Sequence, residues 1–341
     1  MTLQAGLGGP WLAAAFGTAH APPQLAPAPT PTMFDPVGVP AETILDITWL
    51  LIGICGAIGV VMFCLIGFAI VRCRRPEGDD REPPQVYGSN PIELAWTVVP
   101  LMIVFVLFMV SARGIFELER TSPSEGATEL TVTGHRWWWE FDYGDLGIVT
   151  AGELHVPIDE GGVADLYLTL KSADVAHSFW VPQLGPKMDV IPDRVNHLWL
   201  QANRPGTFVG QCAEYCGNQH ANMLITVVVE PREDFEAWVR NQQQDAAADT
   251  TVAAGKRLFL RTACINCHTV RGTVANGTFA PDLTHLMSRS TIGSGAIANT
   301  PENLREWVWD PQNIKPGCDM PSMKLSRSEV DLVCAYLETL R

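Results

Sequence analysis

Four soft metal ligands lie close together in one short segment of the chain. Residues 211–223 contain two thiols, one imidazole and one thioether, from Cys212, Cys216, His220 and Met223. Sulfur ligands combined with imidazole favour copper, and two cysteines rather than one favour a pair of copper ions bridged by both sulfurs. His177 supplies a second imidazole upstream. These residues predict a dinuclear copper centre, which would move electrons.

Two other interpretations of the cysteines stay open. Cys212 and Cys216 could form a disulfide outside the cytoplasm, or they could join His177 and His220 in a structural zinc site. The methionine argues against zinc, because a structural zinc site has no use for the thioether of Met223.

A second redox centre is indicated further along the chain. Residues 264–268 read Cys-Ile-Asn-Cys-His, which is the attachment signature of a c-type haem. Cys264 and Cys267 would bond to the haem vinyl groups, and His268 would be the proximal iron ligand. A bare Cys-x-x-Cys-His also occurs in other redox and zinc proteins. The flanking sequence must therefore distinguish a haem-attachment site from these alternatives.

The remaining axial iron ligand must come from a distant position. Met320 is the best candidate, because a thioether raises the reduction potential of haem iron and the proline that follows stiffens the loop. Met323 and His285 are the next candidates.

The sequence on both sides of the attachment motif predicts helices. Gly255 and Phe259 mark an N-terminal helix. Residues 325–340 read as an amphipathic C-terminal helix, whose apolar face contains Val330, Val333, Leu337 and Leu340. This flanking pattern favours a helical haem domain over a zinc site.

Two apolar segments are long enough to span a membrane. Of the 341 residues, 47% are hydrophobic, more than the rest of the chain by itself would suggest. The excess is concentrated in residues 47–71 and 94–112, which contain no charged residue. Each segment could cross a hydrocarbon core of about 30 Å as a helix. We expect a transmembrane hairpin within residues 41–120.

The basic residues predict the orientation of this hairpin. The loop between the two segments carries Arg72, Arg74, Arg75 and Arg81, whereas the first 71 residues contain neither Lys nor Arg. The positive-inside rule places the loop in the cytoplasm. The N-terminus and the C-terminal domains would then lie on the outer, periplasmic side of a bacterial inner membrane.

The leader, residues 1–40, allows two interpretations. It begins with an apolar stretch and continues with many Ala and Pro residues, and residues 19–21 resemble a small-residue cleavage site. No basic region precedes the apolar stretch, so a signal peptide and an uncleaved disordered leader both stay open.

After the hairpin the sequence changes to a pattern of strands. Four runs alternate or are rich in β-branched residues, at 129–133, 164–170, 197–201 and 223–229. Residues 121–240 are therefore expected to form a small β-sandwich in which the cysteine segment connects two late strands. A polar, low-complexity linker at residues 241–250 leads to the haem domain at residues 251–341.

The chain resembles subunit II of haem–copper cytochrome c oxidases, with a cytochrome c domain fused to its C-terminus. Besides the cysteine segment, the resemblance depends on Gly134-His135-Arg136-Trp137, Asp174–Trp180 and Lys187-Met188-Asp189, and it covers nearly the whole chain from about residue 40. It implies a multi-domain fold made of a two-helix transmembrane hairpin, a cupredoxin-like β-sandwich and an all-α class I cytochrome c domain.

The resemblance also implies how the copper ligands are shared in a CuA centre. Both loop cysteines would bridge the two copper ions. His177 and Met223 would complete one ion, while His220 and the backbone carbonyl of Glu214 would complete the other. Quinol-oxidizing relatives lack this set, so a quinol oxidase subunit is disfavoured.

Three further roles are implied in the same way. The Glu214 side chain would reach a magnesium or manganese ion shared with the catalytic subunit. Glu93, at the cytoplasmic mouth of the second span, would feed protons into a channel of that subunit, although an interfacial glutamate can also simply stay hydrated. Trp137 would be the place where electrons from cytochrome c enter the copper domain. On a strand, the neighbouring Trp138 would point to the opposite face.

The two outer domains differ in charge. Residues 113–250 contain 9 Lys and Arg against 21 Asp and Glu, a net charge of −12, whereas residues 251–341 contain 10 against 8, a net charge of +2. We expect the haem domain to dock electrostatically on the copper domain, with the linker making the encounter intramolecular. Transfer between the two centres would then depend on ionic strength.

Together these observations predict the electron-input subunit of a terminal respiratory cytochrome c oxidase. Electrons would pass from an external donor, such as a quinol–cytochrome c reductase or another cytochrome c, through haem c and CuA to catalytic subunit I, which reduces O2 to water. Oxygen reduction and proton translocation would belong to the assembly, because two spans without a cluster of intramembrane histidines cannot hold a haem–copper reaction site. Further oxidase subunits and membrane lipid are the other expected partners, and nucleic acid is not.

Two alternative functions remain at this point. The first is the CuA-containing electron-input subunit of a nitric oxide reductase, against which Glu93 and the fused haem argue. The second is a membrane-tethered copper-binding assembly or sensor protein. A chaperone must release its metal, so a bridged site with a full set of ligands argues against it.

Overall fold

The chain forms a pair of long helices, a β-sandwich and a helical domain, in that order. The computed structural model describes residues 31–341 except 76, 79, 83, 86, 120, 121, 160 and 248. The cleavage-site interpretation of residues 19–21 lies outside the described residues. The predicted multi-domain fold is confirmed.

The first two helices are long and apolar. They are α1, Val39–Arg72, and α2, Asn90–Leu118. A proline stands in the first turn of each helix, where the N–H that it lacks would have no helical acceptor. By length and composition both helices can cross a membrane, with mean hydropathies of 2.7 and 2.5. They extend beyond the uncharged segments because the polar residues at their ends continue the same backbone hydrogen bonding.

Ten strands form two five-stranded sheets. The strands are β1 Thr128–His135, β2 Trp138–Asp142, β3 Val149–Ala151, β4 Glu153–Ile158, β5 Ala164–Ser172, β6 His177–Trp180, β7 Met188–Val190, β8 Asn196–Ala202, β9 Gly206–Cys212 and β10 Leu224–Pro231. The first sheet has the order β3-β2-β1-β5-β8 and the second β4-β10-β9-β6-β7. The four predicted strand runs all fall in this sandwich, although the last begins at Leu224 rather than at the preceding methionine.

The sandwich core consists of aromatic and aliphatic side chains from the inner faces of both sheets. Trp139 is fully buried and meets Phe179 of the opposite sheet edge-on, with ring centroids 5.4 Å apart. Helix α3, Arg232–Gln242, follows the last strand and stacks Trp238 on His155 at 4.5 Å. Aromatic packing of this kind stabilises the sandwich, and Trp139 also lies beside the cysteine segment, because its Nε1 atom donates a hydrogen bond of 3.4 Å to the carbonyl oxygen of Met223.

The C-terminal domain packs short helices around its own core. The elements are α4 Ala253–Arg261, α5 Cys264–Cys267, β11 Thr291–Ile292, β12 Ile297–Ala298, α6 Pro301–Trp309 and α7 Arg327–Leu337. Gly255 lets α4 approach α7, because a Cβ atom there would collide with the backbone oxygen of Leu332. Ser326 and Glu329 form a capping box, so α7 begins later than residue 325.

The small β11–β12 hairpin departs from the all-α prediction for this domain. Three successive residues with positive φ, Gly293, Ser294 and Gly295, turn the chain between its strands. Each strand has only two residues, too few to produce a recognisable alternating pattern in the sequence.

Candidate dinuclear metal centre and haem cavity

Pairing within the second sheet brings the predicted copper ligands together. Strand β9 ends at Cys212 and β10 begins at Leu224, so the ligand loop connects two neighbouring antiparallel strands. Strand β6 lies on the other side of β9, with Phe179 opposite Cys212. The first residue of β6 is His177, which therefore lies beside the loop although it is 35 positions upstream.

The sulfur and nitrogen atoms of the five predicted side chains converge. The two cysteine Sγ atoms are 3.8 Å apart, and each has a histidine Nδ1 nearby, at 3.9 Å for His177 and 3.6 Å for His220. The Sδ atom of Met223 lies 3.4 Å from Sγ of Cys216. Both cysteines are buried and neither forms a disulfide. This arrangement favours a metal site over the disulfide interpretation.

Glu214 contributes its backbone rather than its side chain to this cluster. Its carbonyl oxygen lies 3.2 Å from Sγ of Cys212. The residue itself is exposed. The oxygen expected from the resemblance is therefore within reach of the metal position, and the carboxylate is free to meet a partner.

The charge state of the cysteine pair suits a cation. A hydrogen bond from Cys216 lowers the pKa of Cys212, and the same interaction raises the pKa of Cys216. Two adjacent sulfurs resist carrying two negative charges unless a cation lies between them. The donor set of two thiols, two imidazoles and a thioether therefore fits copper, for which soft ligands are preferred.

Asp174 is a site residue that the sequence reasoning missed. Its Oδ1 atom accepts a hydrogen bond from Nε2 of His177 at 2.8 Å, which leaves Nδ1 facing the sulfurs. Burial would lower the pKa of His177, but the hydrogen bonds with Asp174 and Cys212 outweigh it and raise that pKa. A carboxylate behind a metal-binding imidazole orients the ring. The sequence feature that could have identified Asp174 is its position three residues before His177, within the segment Asp174–Trp180.

The predicted haem-binding residues line one large apolar cavity. Cys264, Cys267 and His268 all contribute to its wall. The Nδ1 atom of His268 lies 2.7 Å from the carbonyl oxygen of Pro281, so that nitrogen is the donor and Nε2 is the one available to iron. Burial lowers the pKa of this imidazole, which keeps it neutral and able to act as a ligand.

The structure argues against one of the three candidates for the second axial ligand. Met320 and Met323 both line the cavity, whereas His285 does not. The ring nitrogens of His285 lie 2.8 Å from the carbonyl oxygen of Arg341 and 3.0 Å from that of Gln244. A histidine with both nitrogens occupied in this way has none left for iron.

Arg289 is a further residue of the cavity wall that the sequence reasoning missed. Its Nε atom is buried and has no hydrogen-bond partner. A buried donor without an acceptor is rare in proteins. The haem carries two carboxylates, so an unpaired guanidinium nitrogen in the wall fits that group. Nothing in the local sequence pattern singled out this arginine.

The haem cavity reaches the copper domain. Trp137 and Trp138 line the same cavity as the cysteines of the attachment motif. Trp137 is only 8% exposed, and its Nε1 atom donates a hydrogen bond of 3.0 Å to the carbonyl oxygen of Cys216. Trp139 is buried in the sandwich, so the residues on either side of the half-buried Trp138 are both inside.

Glu93 lies apart from both sites, in the first turn of α2. Its side chain is exposed in this chain, and Oε1 accepts a hydrogen bond of 3.2 Å from the backbone N–H of Ser89. Glu93 thus caps the N-terminus of the helix, where a negative charge is favourable.

The fold and the two sites define a cupredoxin-type metal protein joined to a cytochrome c domain, with two helices able to cross a membrane. The family model "Cytochrome C oxidase subunit II, periplasmic domain" matches residues 153–230, and the model "Cytochrome c" matches residues 252–341. Cytochrome c oxidase subunit 2 of Alkalihalophilus pseudofirmus is 35% identical over 318 residues, which are 91% of this chain and 91% of that protein. The chain belongs to the cytochrome c oxidase subunit 2 family and so to a haem–copper oxidoreductase.

Two further similarities were found. Cytochrome c oxidase subunit 2 of Bacillus subtilis is 33% identical over 329 residues, covering 90% of each chain. The solved periplasmic domain of cytochrome oxidase subunit II from Bradyrhizobium japonicum is 30% identical, with a TM-score of 0.32, over 34% of this chain and 93% of that one.

Proposed function

We propose that this chain is the electron-input subunit of a terminal respiratory cytochrome c oxidase. An external donor would reduce haem c, and electrons would continue through CuA to the catalytic subunit that reduces O2 to water. The observation that carries this proposal is the shared cavity, because residues of the haem-attachment motif and Trp137 of the copper domain line it together. When bound, the haem and the copper pair supply one-electron chemistry, and the chain sets their positions and surroundings.

The proposed ligands of the copper pair are the converging side chains described above. Cys212 and Cys216 would bridge the ions, His177 and Met223 would complete one, and His220 with the Glu214 carbonyl would complete the other. Each histidine Nδ1 lies beside a different cysteine sulfur, which supports one imidazole for each ion. The buried sulfurs also exclude water from the metal position.

For the haem, the proposed thioether links are to Cys264 and Cys267, with His268 as proximal ligand. Met320 is the proposed second axial ligand. The carbonyl oxygen of Pro281 holds the His268 ring in place, and the backbone of Met320 is held by Gln312, whose Nε2 atom donates to its carbonyl oxygen at 2.9 Å. Both ligands are therefore on anchored segments.

Trp137 is the proposed point where electrons enter the copper domain. Its near-complete burial and its position between the cavity and the Cys216 carbonyl favour the fused haem as the immediate donor. An external protein would then deliver electrons to the haem domain and not to the indole. A quinol–cytochrome c reductase or another cytochrome c fits that role.

Several finer roles are part of the same proposal. The exposed Glu214 carboxylate would bind a magnesium or manganese ion shared with subunit I, and Glu93 would pass protons to that subunit from the cytoplasmic side. The two helices would cross the bacterial inner membrane with both outer domains in the periplasm. Their exposed apolar faces support contact with lipid and with further oxidase subunits.

The test is to purify the complex through a tag on this chain and to measure reductant-driven consumption of oxygen and of nitric oxide. A Cys216→Ser variant should lose oxygen uptake, while Cys73→Ser, which changes an exposed cysteine far from the site, should keep it. Turnover of nitric oxide alone would support a nitric oxide reductase instead. No turnover of either gas, despite bound copper and haem, would point to a carrier or assembly protein.

A further inference from the structure

One buried lysine joins the haem domain to the copper loop. Lys315 is 3% exposed and lies five residues before Met320. Its Nζ atom donates to three carbonyl oxygens, of Trp137 at 2.7 Å, Asn222 at 2.6 Å and Gly293 at 2.7 Å. An ammonium has three N–H donors, so every one of them is used. A neutral amine has only two, and would leave one carbonyl oxygen without a donor.

Two of these three acceptors belong to the copper domain, and both adjoin its site. Trp137 also donates its indole N–H to the Cys216 carbonyl oxygen, and Asn222 directly precedes Met223. The lysine thus connects the loop of the proposed axial haem ligand to the loop of the copper ligands. A lysine that only stabilised its own domain would have its acceptors there.

A second contact holds the same pair of loops together. Gln219, which is buried and directly precedes His220, donates from Nε2 to the carbonyl oxygen of Pro316 at 2.7 Å. Residues 315 and 316 are therefore bound to the copper loop by adjacent hydrogen bonds. One uses a side chain of the haem domain and the other a side chain of the copper domain.

A carboxylate of the copper domain makes a further connection, to residues 290 and 291 of the haem domain, shortly before Gly293. Glu153 of the copper domain is 5% exposed, and Oε1 accepts from the backbone N–H groups of Ser290 at 2.7 Å and Thr291 at 3.1 Å. The hydroxyl of Ser290 donates to the same oxygen. A buried charge is costly unless it is hydrogen-bonded. Here groups of the haem domain donate to the Glu153 carboxylate, and carbonyl oxygens of the copper domain accept from the Lys315 ammonium.

We propose that Lys315 is a positioning residue that locks the haem domain onto the copper loop, with Glu153 as the second anchor of the same interdomain clamp. This inference rests on the proposed transfer from haem to copper. With this clamp in place, the haem domain keeps a fixed position on the copper domain and does not move freely on its linker. Buried hydrogen bonds are screened little by salt, so transfer within the intact chain is insensitive to ionic strength. This is the opposite of the electrostatic docking expected from the net charges.

The experiment compares Lys315→Met with Lys324→Met in the intact complex. Both changes remove a lysine from the haem domain, but Lys324 is exposed. Burial lowers the pKa of Lys315 to about 7, so the measurements are made at about pH 6, where the ammonium is retained. Optical spectra of haem and copper first establish that both centres are intact in each variant.

Hydrogen–deuterium exchange of residues 217–224 and 289–295 reports the clamp without relying on activity. Lys315→Met leaves three buried carbonyl oxygens without their donor, so exchange in both segments should rise about tenfold or more. Lys324→Met should match the wild type. Glu153→Leu, which removes the one oxygen that accepts all three of these hydrogen bonds, should raise exchange mainly in residues 289–295, and it serves as a second test if Lys315→Met does not fold.

The second readout is the rate of electron transfer from haem to copper after photochemical reduction of the haem. The wild-type rate should stay constant as salt is raised, whereas the rate in Lys315→Met should fall and become salt-dependent. Wild-type exchange and rate in Lys315→Met would overturn the clamp and leave the proposed function standing. A wild-type complex with no transfer from haem to copper would overturn the proposed function, and the exchange data would still judge the clamp.

Discussion

Replacing Asp174 by asparagine tests whether a carboxylate behind His177 sustains the copper site. The carboxylate accepts hydrogen bonds from Nε2 of His177 at 2.8 Å and from the backbone N–H groups of Val175 and Arg136, each at 2.6 Å. Asparagine has nearly the same shape but only one acceptor oxygen. Its NH2 group would therefore face at least one of the three donors.

The structure sets the size of two separate effects. Loss of a carboxylate that orients a metal-binding histidine weakens metal affinity by about 10–100-fold, or about 1.4–2.8 kcal/mol. In the metal-free protein, a donor left without an acceptor costs about 1–3 kcal/mol. The Asp174 side chain is 23% exposed, so water can replace part of the lost bonding and the lower half of that range applies.

Copper affinity is measured by competition with a chelator, and the stability of the metal-free protein by equilibrium unfolding. Asp145→Asn provides the matched control, because that aspartate is exposed in the same sandwich. We expect both quantities to fall in Asp174→Asn and neither to change in Asp145→Asn. Wild-type copper affinity in Asp174→Asn would refute the orienting role of the carboxylate.

Three further predictions concern the haem domain. Gly255→Ala should destabilise this domain by about 1–3 kcal/mol, because the added methyl group collides with the Leu332 backbone. Thermal unfolding measures the effect. Gly161→Ala is the control, because a methyl group there meets open space. Ser326→Ala should cost about 1 kcal/mol through loss of the helix cap, measured in the same way. Hydrogen bonds from Ser326 lower the pKa of Glu329. The ionised carboxylate therefore adds to the free energy of unfolding above the ordinary glutamate pKa of about 4.3, and this stabilisation is lost as the pH falls through the lowered pKa. Glu329→Gln should remove this acid dependence from the unfolding midpoint.

Local sequence determined the chemistry of both candidate sites. Most of the candidate ligands lie in two short segments, residues 211–223 and 264–268. Their residue types and spacing can therefore be recognised without any tertiary contact. The two apolar spans and the four strand runs were predictable for a similar reason. Each depends on hydrophobicity over a single segment, and the corresponding helices and strands are present in the structure.

Only the tertiary structure could show how the two sites are joined. Lys315 and Glu153 resemble ordinary surface residues in the sequence, and their partners are backbone groups, which every residue type possesses. Net charge suggested a loose electrostatic encounter because it sums charges without regard to burial. The sequence by itself determined which residues are candidate ligands. Packing of one domain on the other decided that Trp137 lines the candidate haem cavity, because burial and backbone hydrogen bonding depend on residues far apart in the chain.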